Sequence, residues 1–194
     1  MRPGIAALLL FIAASPAETV RTVPVTGEGA SYWTRWRGPS GQGMVEGTNY
    51  VDAWSNTENV KWRMTVPGDG HSSPIVWKDH LFLTTSREAG AKISMLAYNR
   101  HDGKLLWETN VPTTSGVEYK YEKNSHASAT ATTDGERVYA SFGTHGLVAF
   151  DFTGKIVWHR KFGDLNNYMG SAGSPLLYKD RLFLYQDHQG SANL

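Results

Sequence analysis

Histidine, serine and asparagine side chains recur in three short stretches, at residues 70–73, 124–128 and 170–174. Imidazole, hydroxyl and amide groups can bind a ligand, or can hydrogen-bond neighbouring backbone within a repeat. The candidate ligand-binding residues are His71, Ser72, Asn124, Ser125, His126 and Ser171. Two histidines without a carboxylate at a fixed spacing do not define a metal site, so we predict none. No phosphate loop or Ser-His-Asp order stands out, so no catalytic residue is assigned.

Each stretch precedes a pattern that predicts a β-hairpin. We align Ser73, Ser128 and Ser174 as equivalent positions, 55 and 46 residues apart. After each serine come an apolar or Thr-rich run, a polar turn bearing Asp or Gly, and a second apolar run. Two β-prone runs joined by such a turn are typical of a hairpin.

A second hairpin follows in the first two copies. Its turn contains Asp-Gly in one copy and Thr-Gly in the other, and glycine supplies the positive φ that such turns need. Each turn leads to a tryptophan on an outer strand, and residues 59–66 look like one more such strand. A tryptophan at a fixed repeat position predicts packing between repeats. We therefore interpret these positions as structural: Trp62, Gly103, Trp107, Gly154 and Trp158.

Four antiparallel strands per repeat predict an all-β fold, a β-propeller built of four-stranded blades. The third copy has room for only part of a blade before Leu194, so we expect about two and a half blades of an incomplete ring and an N-terminal fragment of a longer protein. In a propeller the first strand of each blade lines the central channel. The candidate residues would therefore meet at one mouth of that channel.

The N-terminus predicts export. A charged start, a short apolar run and small residues before a cut after Ala17 are typical of a secretory signal peptide, residues 1–17. Residues 18–58 are predicted to form a leader with an aromatic segment. The aromatic side chains of this segment either pack against the core or form a binding patch. Residues 59–194 carry the propeller repeats. No further stretch could span a membrane after cleavage. We expect a periplasmic or secreted protein of the bacterial envelope.

Charge and composition narrow the choice of partner. The 194 residues carry a formal net charge of +1, so nothing suggests a nucleic-acid partner. The chain contains no cysteine, so the fold depends on packing without disulfides.

The loop at residues 112–126 joins the first two blades and carries Tyr119, Tyr121 and Lys123, which either contact a partner or belong to a solvated crossover. The partner is an unknown small molecule or an envelope protein.

The repeat resembles the tryptophan-docking repeat of quinoprotein-type propellers. The matching positions are Ala97, Asn99, Gly103, Lys104 and Trp107, and again Ala149, Asp151, Gly154, Lys155 and Trp158. From Trp33 onward the chain looks like secreted bacterial PQQ-binding-like β-propeller repeat proteins. That resemblance implies a ring of eight blades and a family that includes quinone-dependent dehydrogenases and an envelope assembly lipoprotein.

The resemblance leaves three functions open. A binding or scaffold module with an unknown ligand is the leading hypothesis. A PQQ-dependent alcohol or sugar dehydrogenase is the first alternative, and the resemblance alone implies PQQ with calcium as its cofactor. The chain lacks the vicinal cysteines of that branch and shows no acidic cluster for calcium, and it also lacks the lipidated cysteine of the assembly lipoprotein. An envelope protein assembly factor is the second alternative.

Overall fold

The computed structural model describes residues 20–48, 50–113 and 117–186. Its strands are β1 (Ile75–Trp77), β2 (His80–Arg87), β3 (Lys92–Asn99), β4 (Leu105–Asn110), β5 (Thr132–Thr133), β6 (Arg137–Ser141), β7 (Leu147–Asp151), β8 (Ile156–Arg160), β9 (Leu176–Tyr178) and β10 (Arg181–Phe183). Short 3-10 helices span Gly27–Ser31, Glu88–Gly90 and Gly143–His145, and the described residues contain no α-helix. The predicted signal peptide lies outside these residues. In the part of the chain that is described, no helix has the length and apolar character to cross a bilayer.

The strands form two four-stranded sheets and one hairpin. Sheet order is β1-β2-β3-β4 in the first blade and β5-β6-β7-β8 in the second, and β9 pairs with β10 in the third. All pairs are antiparallel. The all-β propeller prediction, with its partial third blade, is confirmed.

Glycines make the turns between the third and fourth strands. Gly103 has a φ of +72° and Gly154 a φ of +89°, a region that side-chain-bearing residues rarely adopt. In both blades the pairing of the third and fourth strands shifts by one residue close to this turn. The shift lies between Ala97 and Tyr98 in the first blade and between Ala149 and Phe150 in the second. The positive φ at the two turn glycines is what the repeated Gly-Lys pattern predicts.

The predicted equivalence of Ser128 with the serines of the other blades is wrong. The strand registers pair Ile75 with Phe82, Thr132 with Tyr139 and Leu176 with Phe183. The residue two positions before each first-strand member is therefore Ser73, Thr130 or Ser174. The Thr-rich run of the second copy hides this two-residue slip, because a shift of two leaves the facing pattern of a strand unchanged.

The equivalent residues Ser73, Thr130 and Ser174 link adjacent blades by the same kind of hydrogen bond. The Ser73 amide donates to Oγ1 of Thr130 at 2.9 Å. The Thr130 amide in turn donates to Oγ of Ser174 at 3.0 Å. The second and third blades thus each supply a hydroxyl acceptor to the residue two positions before the inner strand of the preceding blade.

The core lies between blades. Along β6, Val138 faces the first blade and packs with Phe82 and Phe150, whereas Tyr139 faces the third blade and packs with Leu177. This alternation follows the two-residue period of a strand, and it gives the second blade two buried faces.

Two tryptophans make the same packing contact with the turn of the repeat that follows them. The Trp62 indole donates to the carbonyl of Arg100 at 2.9 Å, and the Trp107 indole donates to the carbonyl of Phe152 at 2.8 Å. Both rings lie against the turn glycine of the following repeat, because a Cβ on Gly103 would meet Trp62 at 2.6 Å and one on Gly154 would meet Trp107 at 2.7 Å. The expected strand at residues 59–66 is wrong, since this segment joins no sheet among the described residues. Trp62 nevertheless makes the same contact as Trp107.

The leader crosses the far ends of the inner strands. The carbonyl of Trp33 accepts from the Val76 amide at 2.7 Å, and that of Thr34 accepts from the Thr133 amide at 3.0 Å. Thr34 is buried, whereas Trp36 is 53% exposed. The segment therefore packs against two blades at the end opposite the candidate residues.

Candidate functional site

The loops before β1 and β5 enclose a groove of about 440 Å³. We call it the mouth groove. Four of the predicted residues line it: His71, Asn124, Ser125 and His126. The groove is also lined by Asp69, Lys120, Glu122 and Lys123. Of these four, the sequence indicates only Lys123, as a residue of the crossover loop. The repeat therefore brings polar groups of two neighbouring blades together at one mouth.

Backbone hydrogen bonds hold the first of these loops in place. The amides of His71 and Ser72 both donate to the carbonyl of Ala127 at 3.1 Å. Oγ of Ser72 accepts from the Thr84 amide at 3.1 Å, and its side chain does not line the groove. The His71 side chain is exposed at the groove wall. Ser72 thus braces the loop, whereas His71 is free to meet a ligand.

Asn124 fixes the second loop against a third one. Its Nδ2 donates to the carbonyl of Met169 at 2.6 Å. Its Oδ1 accepts from the Ser125 amide at 2.8 Å and from the Ser128 hydroxyl at 2.5 Å. Because both ends of the amide are engaged, its orientation is settled, and the groove wall here is rigid.

Ser171, in the segment that leads into the third blade, lines a narrow crevice behind the groove together with Ile93 of the first blade and Phe142 after the second strand of the second blade. Its hydroxyl donates to Oε1 of Glu118 at 2.5 Å. The other carboxylate oxygen accepts from the Thr144 amide at 2.9 Å. Glu118 therefore anchors the crossover loop to the second blade and to the segment that leads into the third. His126 and Ser125 line the same crevice. Sequence reasoning missed Glu118, because its partners lie 26 and 53 residues away and no local pattern marks it.

Burial keeps two histidines near this crevice neutral. Burial, and then the charge of Lys120, lower the pKa of His126 below its ordinary value of 6.5. Burial also lowers the pKa of His145, against an opposing effect of the Glu118 carboxylate. At neutral pH each ring is therefore uncharged and can both donate and accept a hydrogen bond.

The side chains that line the mouth groove are poorly suited to PQQ with calcium, the cofactor that the resemblance implies. Calcium takes about six to eight oxygen ligands. The groove offers only two carboxylates, Asp69 and Glu122, and the described residues contain no group of three or more His, Asp or Glu side chains that could hold a metal. The rings of Trp62 and Trp107 each lie against a turn glycine, Gly103 and Gly154 respectively, and those ring faces are not available to stack on a quinone ring.

Comparison with known proteins places the chain in a family. None of the curated proteins matches it significantly. Among similar solved structures is one titled "Europium-containing methanol dehydrogenase", which is 18% identical with a TM-score of 0.45. The match covers 66% of this chain and 23% of that one, so this chain spans less than a quarter of its length. The sequence profile of the family described as outer membrane protein assembly factor BamB matches residues 40–192. The chain belongs to this family of PQQ-like β-propeller repeat proteins.

Proposed function

We propose that the chain is part of an exported propeller that binds a small polar ligand in the mouth groove. The observation that carries the proposal is the convergence of His71, Asn124 and His126 on one cavity of about 440 Å³. This volume falls within the range of about 300–1,000 Å³ that is usual for small-molecule sites. Its walls are held by hydrogen bonds, so a ligand would meet preorganised groups rather than order them.

Export to the periplasm or the cell exterior is the second part of the proposal. It is supported by the signal-like sequence at residues 1–17 and by the envelope role that the family description prints. Secretion of a reporter fused to the first residues, with cleavage after Ala17, is the expected result. A reporter that stays in the cytoplasm would contradict this part alone.

The binding proposal is tested by NMR titration of the chain with a library of amino acids, nucleotides, organic acids and sugars. We expect at least one compound to shift the amide signals around the groove. Replacing the exposed His71 (His71→Ala) should weaken that binding, because its ring is on the groove wall. His101→Ala is the matched control, since His101 is also exposed but pairs with Asp79 at a turn outside the groove. A library that leaves every groove signal unmoved would refute the proposal.

Two alternative functions can be tested on the same protein, a dehydrogenase and an assembly factor. The enzymatic one expects PQQ with calcium to bind and a dye to be reduced with alcohols or sugars as substrates. The assembly role rests on the printed family description, and it expects an envelope protein to be captured by a photo-crosslinking residue placed at Lys123. Dye reduction would replace the binding proposal by the first alternative, and a specific crosslinked partner without a groove ligand would replace it by the second.

A further inference from the structure

Three tyrosines form a strip beside the mouth groove. The ring centroid of Tyr168 lies 5.8 Å from that of Tyr119 and 6.0 Å from that of Tyr121. Tyr119 is 62% exposed and Tyr168 is 53% exposed. We call these three residues the tyrosine rim. Clustered exposed aromatic rings, unlike single ones, mark interaction sites on soluble proteins.

The tyrosine rim is continuous with the groove. Tyr119 and Tyr121 flank Lys120, which lines the groove. On the other loop, Tyr168 precedes Met169, whose carbonyl accepts the hydrogen bond from the groove residue Asn124. On both loops the tyrosine rim therefore adjoins residues of the groove or their partners.

The two loops that carry the rim are locked together. Glu118 ties the first loop to Ser171 at 2.5 Å, beyond the end of the second loop. Gly170 has a φ of +80°, and a Cβ there would meet the Cβ of Lys120 at 2.7 Å, so the two loops are in close contact. Because the loops are fixed in this way, a ligand that binds there would have little backbone to order.

The groove chemistry indicates the class of ligand. Two carboxylates (Asp69 and Glu122) face two lysines (Lys120 and Lys123), so neither an anion nor a cation is favoured overall. Uncharged His126 adds a ring that both donates and accepts hydrogen bonds, and the exposed His71 adds a second imidazole to the groove wall. Balanced donors and acceptors suit a neutral ligand rich in hydroxyl groups. The adjacent rings suit a ligand that also has C–H faces to stack on them.

We infer that the mouth groove and the tyrosine rim together bind a saccharide. Its hydroxyl groups pair with the groove residues, and a neighbouring sugar unit stacks on Tyr168 and Tyr119. This inference rests on the proposed function and adds to it the class of ligand and a residue set outside the groove. The binding is non-covalent and involves no bond-making step.

The test is calorimetric titration of the chain with maltohexaose, cellohexaose and chitohexaose. We expect at least one of them to bind with a dissociation constant of about 1 mM or tighter. Tyr168→Ala should weaken that binding about tenfold, because the sugar unit would lose the aromatic face on which it stacks. Tyr168→Trp should retain it. Tyr178→Ala is the matched control, since Tyr178 is 59% exposed on β9, away from the rim.

The outcomes separate the two claims. If no hexasaccharide binds but another compound of the library shifts the groove signals, the saccharide inference is overturned and the binding proposal stands. If a hexasaccharide binds and His71→Ala weakens it while Tyr168→Ala does not, the stacking role of the rim is overturned. If nothing binds at the groove, both claims fail. Thermal melts of each variant establish that the fold is intact, and exposed Tyr168 leaves little packing to lose.

Discussion

Replacing Thr130 by valine should weaken the contact between the first two blades. The Thr130 side chain is buried, and its hydroxyl accepts the Ser73 amide at 2.9 Å. Valine has nearly the same shape but cannot accept a hydrogen bond, so the amide would lose its partner. Leaving a buried backbone donor unsatisfied costs about 1–3 kcal/mol. Because Ser73 is only half-buried, we expect a loss of about 1–2 kcal/mol in the free energy of unfolding.

Urea unfolding followed by tryptophan fluorescence measures this loss. Thr153→Val is the control, because Thr153 is exposed and its hydroxyl bonds only the nearby Asp151. That variant should stay within about 0.5 kcal/mol of the parent chain. Hydrogen exchange gives a local reading, since the Ser73 amide should exchange faster in Thr130→Val alone. An unchanged unfolding curve together with unchanged Ser73 exchange would refute the hydroxyl link between blades.

Two further predictions concern a turn and a titration. Gly154→Ala should lower the unfolding free energy by about 2–3 kcal/mol, because its φ is +89° and the new Cβ would lie 2.7 Å from the Trp107 ring. Gly163→Ala, with a φ of +103° but nothing within 4 Å, should lose only about 1 kcal/mol, and equal thermal shifts for the two variants would contradict the ring contact. The depressed pKa values of His126 and His145 mean that the unfolded chain takes up protons first as pH falls below 6.5, so stability should decrease there. Urea midpoints measured on both sides of that pH check the sign, and a midpoint that rises on acidification would show it to be wrong.

The parts of the fold that the sequence predicts are those with local causes. The turns at Gly103 and Gly154 need positive φ, and the neighbouring Gly-Lys pattern identifies them without any knowledge of contacts. The inner strand of the second blade has no such marker. A run of alanines and threonines there leaves the register open by two residues, so the sequence alone favours Ser128 where the structure has Thr130.

The candidate site was predictable only as a location. That loops before the first strands meet at one mouth follows from the repeat, and His71, Asn124, Ser125 and His126 lie there. The roles of individual side chains depend on partners from other blades. Ser72 bonds β2 and Ser171 bonds the crossover loop, and neither contact leaves a trace in the residues around it.

The leader also has a consequence for the order of folding. The Thr22 amide donates to the carbonyl of Lys179 at 2.8 Å, a contact that joins residues 157 apart in the chain. In a chain that emerges from its N-terminus, Thr22 is available early, yet its partner Lys179 is in place only after the hairpin of β9 and β10 has formed. Residues 33 and 34 of the same leader contact the first two blades and do not depend on that hairpin. Contacts of such long range are slow to form, so we expect the leader to dock in two stages, the Thr22 end last.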